Sequence, residues 1–343
     1  MDLQKILVVF TLLYAPVLLF SFEPKGPLRS KNYYVPFIPF YSFPGEGAAS
    51  GEKGSLNVTL AQYYVQDIVS EFHSVSTGGY LMERFTDYEG YVLEPTLSFN
   101  PLDSLEAGIT SRLHFYYGGI FDSVFEAFHE LFGFPNGGRE SFPQNDVYIS
   151  IHTTSGIDLF LDDNLTAIGD TDLFVKWSFL NISAMDLALW GALKLPTGAM
   201  ENISGSGYAD LGLALLADFH FFKRFAFFLE TGIVLPGQLL AGKSEYPLPV
   251  FHLMAASEFM VTENFSLLLQ FKLNTSPIAE GVTVPENITY TAKLIQPMTN
   301  ILFGAIWKAG PVKIQFNLEE DAFTNNGADL IANLTLSTSF DLY

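Results

Sequence analysis

The chain has 343 residues, no cysteine, 17 Lys and Arg against 37 Asp and Glu, and a formal net charge of -20. That balance excludes a nucleic-acid role, because a phosphate backbone is held by Lys and Arg, and the missing cysteine excludes disulfide and thiolate chemistry. Hydrophobic residues make up 49%, aromatics 15% and charged residues only 16%, where soluble domains carry about 25% charged residues.

At the N-terminus one Lys precedes the apolar run Ile6 to Phe20, which Pro16 interrupts, and Glu23 and Lys25 follow. This pattern predicts a secretory signal peptide over 1–22 and an exported mature chain. Beyond it no segment approaches the roughly 18 continuous apolar residues of a membrane helix. An apolar composition without spanning helices points to strands that cross a bilayer. Residues 23–54 read as an N-terminal extension, either one further strand or a segment inside a lumen, and 55–343 as the barrel.

The stretch 118–146, "GGIFDSVFEAFHELFGFPNGGRESFPQND", breaks the strand pattern. Phe121, Phe125, Phe128 and Phe132 fall close to helical spacing, with Asp122, Glu126 and Glu130 on other faces. The spacing predicts a short amphipathic helix from Ile120 to Leu131, stopped at Gly133 and Pro135. Phe121, Phe125, Phe128, His129 and Phe132 are its candidate gate or plug residues. The helix is expected to dock on a rim, lie at the membrane interface or fold inward as a constriction. Its side of the barrel depends on 147–167. One strand at 147–154 followed by a loop puts the insert on the short-turn side; a second short strand at 157–163 puts it on the long-loop side.

From Ile168 onward alternation is regular. Leu173, Val175, Trp177 and Phe179 alternate with Asp172, Phe174, Lys176 and Ser178, and Leu267, Leu269 and Phe271 alternate with Gln270 and Lys272. Side chains of a strand switch face at each residue, so each segment has an apolar face for lipid and a polar face for a lumen. Connections alternate too. "NISA" (181–184), "FFKR" (221–224), "VTEN" (261–264) and "KAGP" (308–311) are tight, while 196–208, 236–249, 275–296 and 320–329 are long. Periplasmic turns and outer loops sort in this way. On the polar parity, Asp172, Lys176, Asp186, Lys194, Asp210, Asp218, Arg224, Glu230 and Lys272 are the candidate lumen-lining residues. Such a set either satisfies itself and plugs a narrow barrel or lines a polar path. At the C-terminus Tyr343 has the opposite parity to Leu334, Leu336, Phe340 and Leu342, which predicts a bulge or altered end register.

No nucleophile elbow is present, His114, His129, His152, His220 and His252 are dispersed, and His129-Glu130 lacks the second His of a zinc signature. "GSGYADLG" (205–212) lacks the Lys and helix of a phosphate loop. Neither enzymatic activity nor a cofactor or metal is expected.

"GPLRSKNYYVPFIPFY", "GGIFDSVFEAFHELFGFPNGGRE" and "IGDTDLFVKW" with the later "LKLPTG" and "GSGYADLGLAL" resemble a bacterial family catalogued as domain of unknown function 3187. The last block is also similar to barrel proteins associated with aromatic-compound degradation and hydrophobic-substrate uptake. The resemblance implies an outer-membrane β-barrel and a small apolar or amphipathic solute, and transfers no catalytic residue.

The sequence therefore predicts an all-β chain: one antiparallel transmembrane β-barrel of about 12–14 strands, within a range of 12–16, with one short helix in a long loop. The function expected is a passive channel or transporter in the bacterial outer membrane. A structural or surface-binding barrel is the alternative, and an outer-membrane lipid hydrolase the third reading. Its expected partners are outer-membrane lipid, the solute and the barrel-assembly machinery.

Overall fold

Alternation at a period of two turns into a single wall. The structure is a computed structural model that describes residues 22–35, 37–74, 80–132, 143–153, 158–237, 247–277, 297–321 and 327–342; the expected signal peptide, apart from its last residue Phe22, lies outside them. Among the described residues there are 16 strands: β1 (Ser55–Ser74), β2 (Tyr80–Leu102), β3 (Leu105–Thr110), β4 (Leu113–Tyr117), β5 (Tyr148–Thr153), β6 (Asp158–Leu161), β7 (Leu165–Ile168), β8 (Thr171–Ile182), β9 (Met185–Leu195), β10 (Asp210–Phe219), β11 (Phe225–Leu235), β12 (Val250–Met260), β13 (Phe265–Asn274), β14 (Met298–Ala309), β15 (Val312–Asp321) and β16 (Leu330–Asp341). All pairings are antiparallel, and β1 pairs with both β2 and β16, so the sheet closes into a 12-strand barrel. Two of the barrel's positions are each shared by two strands, β3 with β4 and β7 with β8.

Closure leaves no free edge around the 12-strand wall, as a bilayer requires. Leu173, Val175, Trp177, Leu267, Leu269 and Phe303 are exposed on the outer face, whereas Asp172, Lys176, Gln270 and Lys272 are buried inside. Leu269 sits mid-strand, opposite Phe303 on β14 and Ser257 on β12. Leu269→Arg is expected to cost about 2–4 kcal/mol, read as the urea unfolding free energy of the barrel in lipid vesicles. A cost as small as that of Arg at an interface position would contradict a lipid-facing Leu269.

The 147–167 region takes the two-strand alternative. β5 pairs with the upper part of β2, from Met82↔Thr153 to Asp87↔Tyr148, and β6 pairs back onto β5. This hairpin prolongs the wall at the long-loop end, and the 118–146 insert lies at that end too. The helix, α1 (Asp122–Phe132), starts two residues later than the spacing predicts.

The expected C-terminal bulge does not occur in the described ladder. β1 and β16 pair without a shift from Ser55↔Asp341 to Gln66↔Leu330. Leu334 and Phe340 stay on the outer face because the strand ends at Asp341, before the parity of the terminal residue matters. Tyr343 lies outside the described residues.

Candidate functional site

The lumen is occupied by the chain's own N-terminal segment. Residues 22–54 enter at the short-turn end, where the Phe22 N–H donates to the Lys223 carbonyl at 3.3 Å. They climb the lumen, turn over at Tyr34 with backbone bonds from Phe37 and Ile38 to the Tyr34 carbonyl, and descend to β1. The two limbs meet through the Ser30 N–H and Pro44 carbonyl at 2.8 Å, the Asn32 N–H and Ser42 hydroxyl at 3.1 Å and the Arg29–Glu46 ion pair at 2.5 Å. The described residues of the segment carry no strand. This hairpin has no ladder to the wall, so side chains of the wall satisfy its backbone. Gln270 accepts from the Leu28 N–H at 2.9 Å and donates to the Leu28 carbonyl at 3.0 Å. Glu258 accepts from the Lys25 N–H, Glu230 from the Glu46 N–H at 2.9 Å, and Asp218 from the Ala48 N–H at 2.8 Å.

The ascending limb is cationic and the wall beside it acidic. Arg29, Lys31 and the wall residue Arg112 converge on Glu94 and Asp172. Glu94 lies 3.1 Å from Arg29, 3.5 Å from Lys31 and 3.2 Å from Arg112, and accepts from the Tyr33 hydroxyl at 2.8 Å. Asp172 pairs with Lys31 at 2.6 Å and with Arg112. Beside this cluster Lys272 bridges Glu319 at 2.6 Å and the Ser30 hydroxyl at 2.8 Å. Buried charges persist only when paired and hydrogen-bonded, and here each limb of the hairpin supplies part of the pairing.

Space for the hairpin is written into the inner wall as small residues. A Cβ on Gly212 would meet the Tyr41 ring at 2.5 Å, and one on Gly232 the Phe43 ring at 2.8 Å. The Trp190 indole donates to the Tyr41 hydroxyl at 2.9 Å. Near the long-loop end Lys194 bridges Asp170 at 2.7 Å and Asp210 at 3.0 Å and donates to the Pro39 carbonyl. Asp210 in turn accepts from the Tyr41 and Gly237 N–H groups. The Gly-Asp-Thr, Pro-Thr-Gly and Gly-Ser-Gly stretches close over this clasp, with Gly198 N–H on Asp170 at 2.8 Å. Gly169, Gly198 and Gly205 serve close packing, and Gly207 takes a positive φ of +72 in open space.

The apex is apolar. Tyr33, Tyr34, Val35, Phe37 and Ile38 pack with Tyr63, Tyr88, Tyr116, Ile149 and Ile151 under the β5–β6 extension. At the short-turn end a polar cavity of about 550 Å³ remains between the limbs, lined by residues that include Lys25, Glu46, Lys176, Asp218, Lys313 and Gln315.

Of the sequence-predicted lumenal residues, Asp172, Lys176, Asp186, Lys194, Asp210, Asp218, Glu230 and Lys272 are buried on the inner face. Lys176 pairs with Glu106 at 3.0 Å and Asp186 with His220 at 2.8 Å. Arg224 differs: it is exposed. It precedes the first paired residue of β11, Phe225, so strand parity no longer aims it. Its guanidinium lies 4.9 Å over the Phe22 ring and donates to the Val261 carbonyl at the short-turn rim.

The start of the helical insert lies outside the lumen. The Phe121 ring meets Tyr64 at 5.8 Å, and Tyr64 alternates with the inward Tyr63 and Val65, so α1 starts against the outer face of β1. The side chains of Phe125, Phe128, His129 and Phe132 lie outside those described. The sequence reading missed Arg29, Lys31, Glu94, Arg112 and Glu319. The available signal was the density of charge and tyrosine in "GPLRSKNYYVPFIPFY", unusual for a segment outside the barrel. No group of three or more His, Asp or Glu able to hold a metal occurs among the described residues.

No curated protein matches the chain. Its structure is similar to the COG4313 outer membrane channel from Pseudomonas putida F1, with a TM-score of 0.54 and 15% identity over 87% of this chain and 99% of that one. That likeness is one of fold. The Pseudomonas putida toluene transporter TodX matches over 93% of this chain and 98% of its own at 10% identity, with a TM-score of 0.38, too low for further argument. A family model matches residues 37–340, and the chain accordingly belongs to the family described as protein of unknown function DUF3187.

Proposed function

We propose that this barrel is an outer-membrane channel for a small amphipathic molecule, closed at rest by residues 22–54 and opened when that hairpin leaves the lumen. The observation that carries the reading is the way the hairpin is held: by ion pairs and side-chain bonds, without strand pairing to the wall. Water entering behind a departing hairpin can solvate Glu94, Asp172 and Glu319, which lowers the cost of release. The apolar apex, with Tyr33, Tyr34, Phe37 and Ile38, is the costly part of release, at about 25 cal/mol per Å² of apolar surface exposed. What supports the solute class is the two-part interior, an aromatic and apolar cap near the long-loop end above a charged lower lumen. With the short turns on the periplasmic side, a solute meets the cap first.

The test is solute entry into proteoliposomes. Ser30→Ala combined with Lys31→Ala removes the contacts to Glu319, Lys272 and Asp172 and leaves Asp172 paired with Arg112. This variant should admit a small amphipathic acid or phenol several-fold faster than the native chain, and a trisaccharide less readily. A folded, heat-modifiable variant that admits neither solute above empty liposomes would favour the alternative of a filled structural barrel.

A further inference from the structure

The helix α1 is amphipathic, and the protein holds the first acidic residues of its polar side, while Glu130 further along is exposed. Asp122 is buried and accepts from the Asn145 N–H at 2.7 Å, and Glu126 accepts from Gln144 at 2.8 Å. The other side is open: Ile120 is 70% exposed, Val124 57% and Leu131 78%. A helix packed on its own protein shows the opposite arrangement, with its apolar stripe inward.

The position of the helix says what covers that stripe. Gly119, at φ +76, brings the chain so close to β2 that a Cβ there would overlap the Glu89 carboxylate. Glu89 accepts from the Ile120 and Phe121 N–H groups at 3.0 and 2.8 Å, which fixes the entry of the helix. Glu89 is on the outward parity of β2, after Leu97, Leu93 and Tyr91. At roughly 3.3 Å per residue and a ~40° tilt, the residues from Phe99 to Glu89 climb about 25 Å, the height of a barrel's apolar band. The helix therefore begins where the lipid-facing surface ends, next to the outward Tyr64, and its apolar stripe continues that surface.

We propose that α1 lies in the outer-leaflet interface beside β1 and β2, with Ile120, Val124 and Leu131 among the lipid acyl chains. It is an interfacial anchor of the kind that buries one apolar face in the headgroup and acyl boundary. On the acidic side Asp122 and Glu126 are satisfied by the 143–146 segment, and the exposed Glu130 lies on the other side of the helix from the apolar stripe. The inference rests on the barrel fold and is independent of whether the hairpin opens.

A chain without cysteine allows single-site spin labels on the full-length protein. Val124→Cys, Leu131→Cys and, on the other side, Glu130→Cys would be labelled and reconstituted in phosphatidylethanolamine and phosphatidylglycerol vesicles. Heat-modifiable mobility checks folding. Membrane-dissolved oxygen should relax the labels at 124 and 131 several-fold more effectively than an aqueous nickel chelate does, with the reverse preference at 130. Nickel-favoured relaxation at 124 and 131 would place the helix in water and overturn the proposal. Protection of both sites from both reagents would place it against protein and overturn it as well.

Discussion

Deletion of residues 23–52 is expected to convert the barrel from a closed state into a steadily open, cation-selective pore. A barrel of this strand number is wider than the eight-stranded type that its own side chains fill, and here the excess width is taken up by the hairpin. Its removal takes Lys25, Arg29 and Lys31 out of the lumen. The wall keeps Glu94, Asp172, Asp218, Glu230, Glu258 and Glu319 against Arg112, Lys176, Lys194 and Lys272. Acidic linings favour cations, so the reversal potential across a salt gradient should shift to the cation side while single-channel conductance rises from the closed level. The wall itself should persist, since its ladders run from β1 to β16 without a strand from the deleted segment. A folded deletion variant that stays closed would mean that residues 22–54 are not what blocks the path. A deletion variant of high conductance but anion preference would leave the plug in place and refute the charge assignment.

The wall was legible because its signal is local. Parity along β8, β9 and β13 distinguishes lipid from lumen by itself, and the alternation of short and long connections orders the ends. The contents of the lumen were less legible. Lys31 meets Asp172 and Tyr33 meets Glu94 across long sequence separations, and no spacing within the hairpin encodes a partner that the barrel brings in from another strand. The inward small residues carried a trace of it: Gly212 stands beside Ala214 on the inner face of β10, and Gly232 shares that of β11 with Ala226. Periodicity also showed that α1 has two faces without saying which one the protein keeps. That depended on Glu89 capturing the N–H groups of Ile120 and Phe121, a contact between elements. Arg224 shows the limit of parity, which holds only while a residue is paired in the ladder.

Glu94→Gln should destabilise the folded barrel by about 3–5 kcal/mol, the range for removing one partner of a buried charged group. The substitution preserves volume and still offers one acceptor, so the loss is one of charge and not of packing. In the native chain Glu94 is shared by Arg29, Lys31, Arg112 and the Tyr33 hydroxyl. Without it these three cations retain only Asp172 and Glu46 as carboxylate partners in the cluster. Two of the cations belong to the hairpin, so the strain falls on the contact between plug and wall. Two measurements therefore move together: the urea unfolding midpoint in vesicles falls, and brief openings in planar bilayers become more frequent. Charge balance then makes a sharper demand. Adding Lys31→Met to Glu94→Gln removes one of the stranded cations, so the double variant should recover part of the lost stability, with a coupling of about 0.5–3 kcal/mol between the two sites. Strict additivity would mean that Lys31 and Glu94 do not sense each other, and that the central cluster is not what holds the hairpin in the lumen.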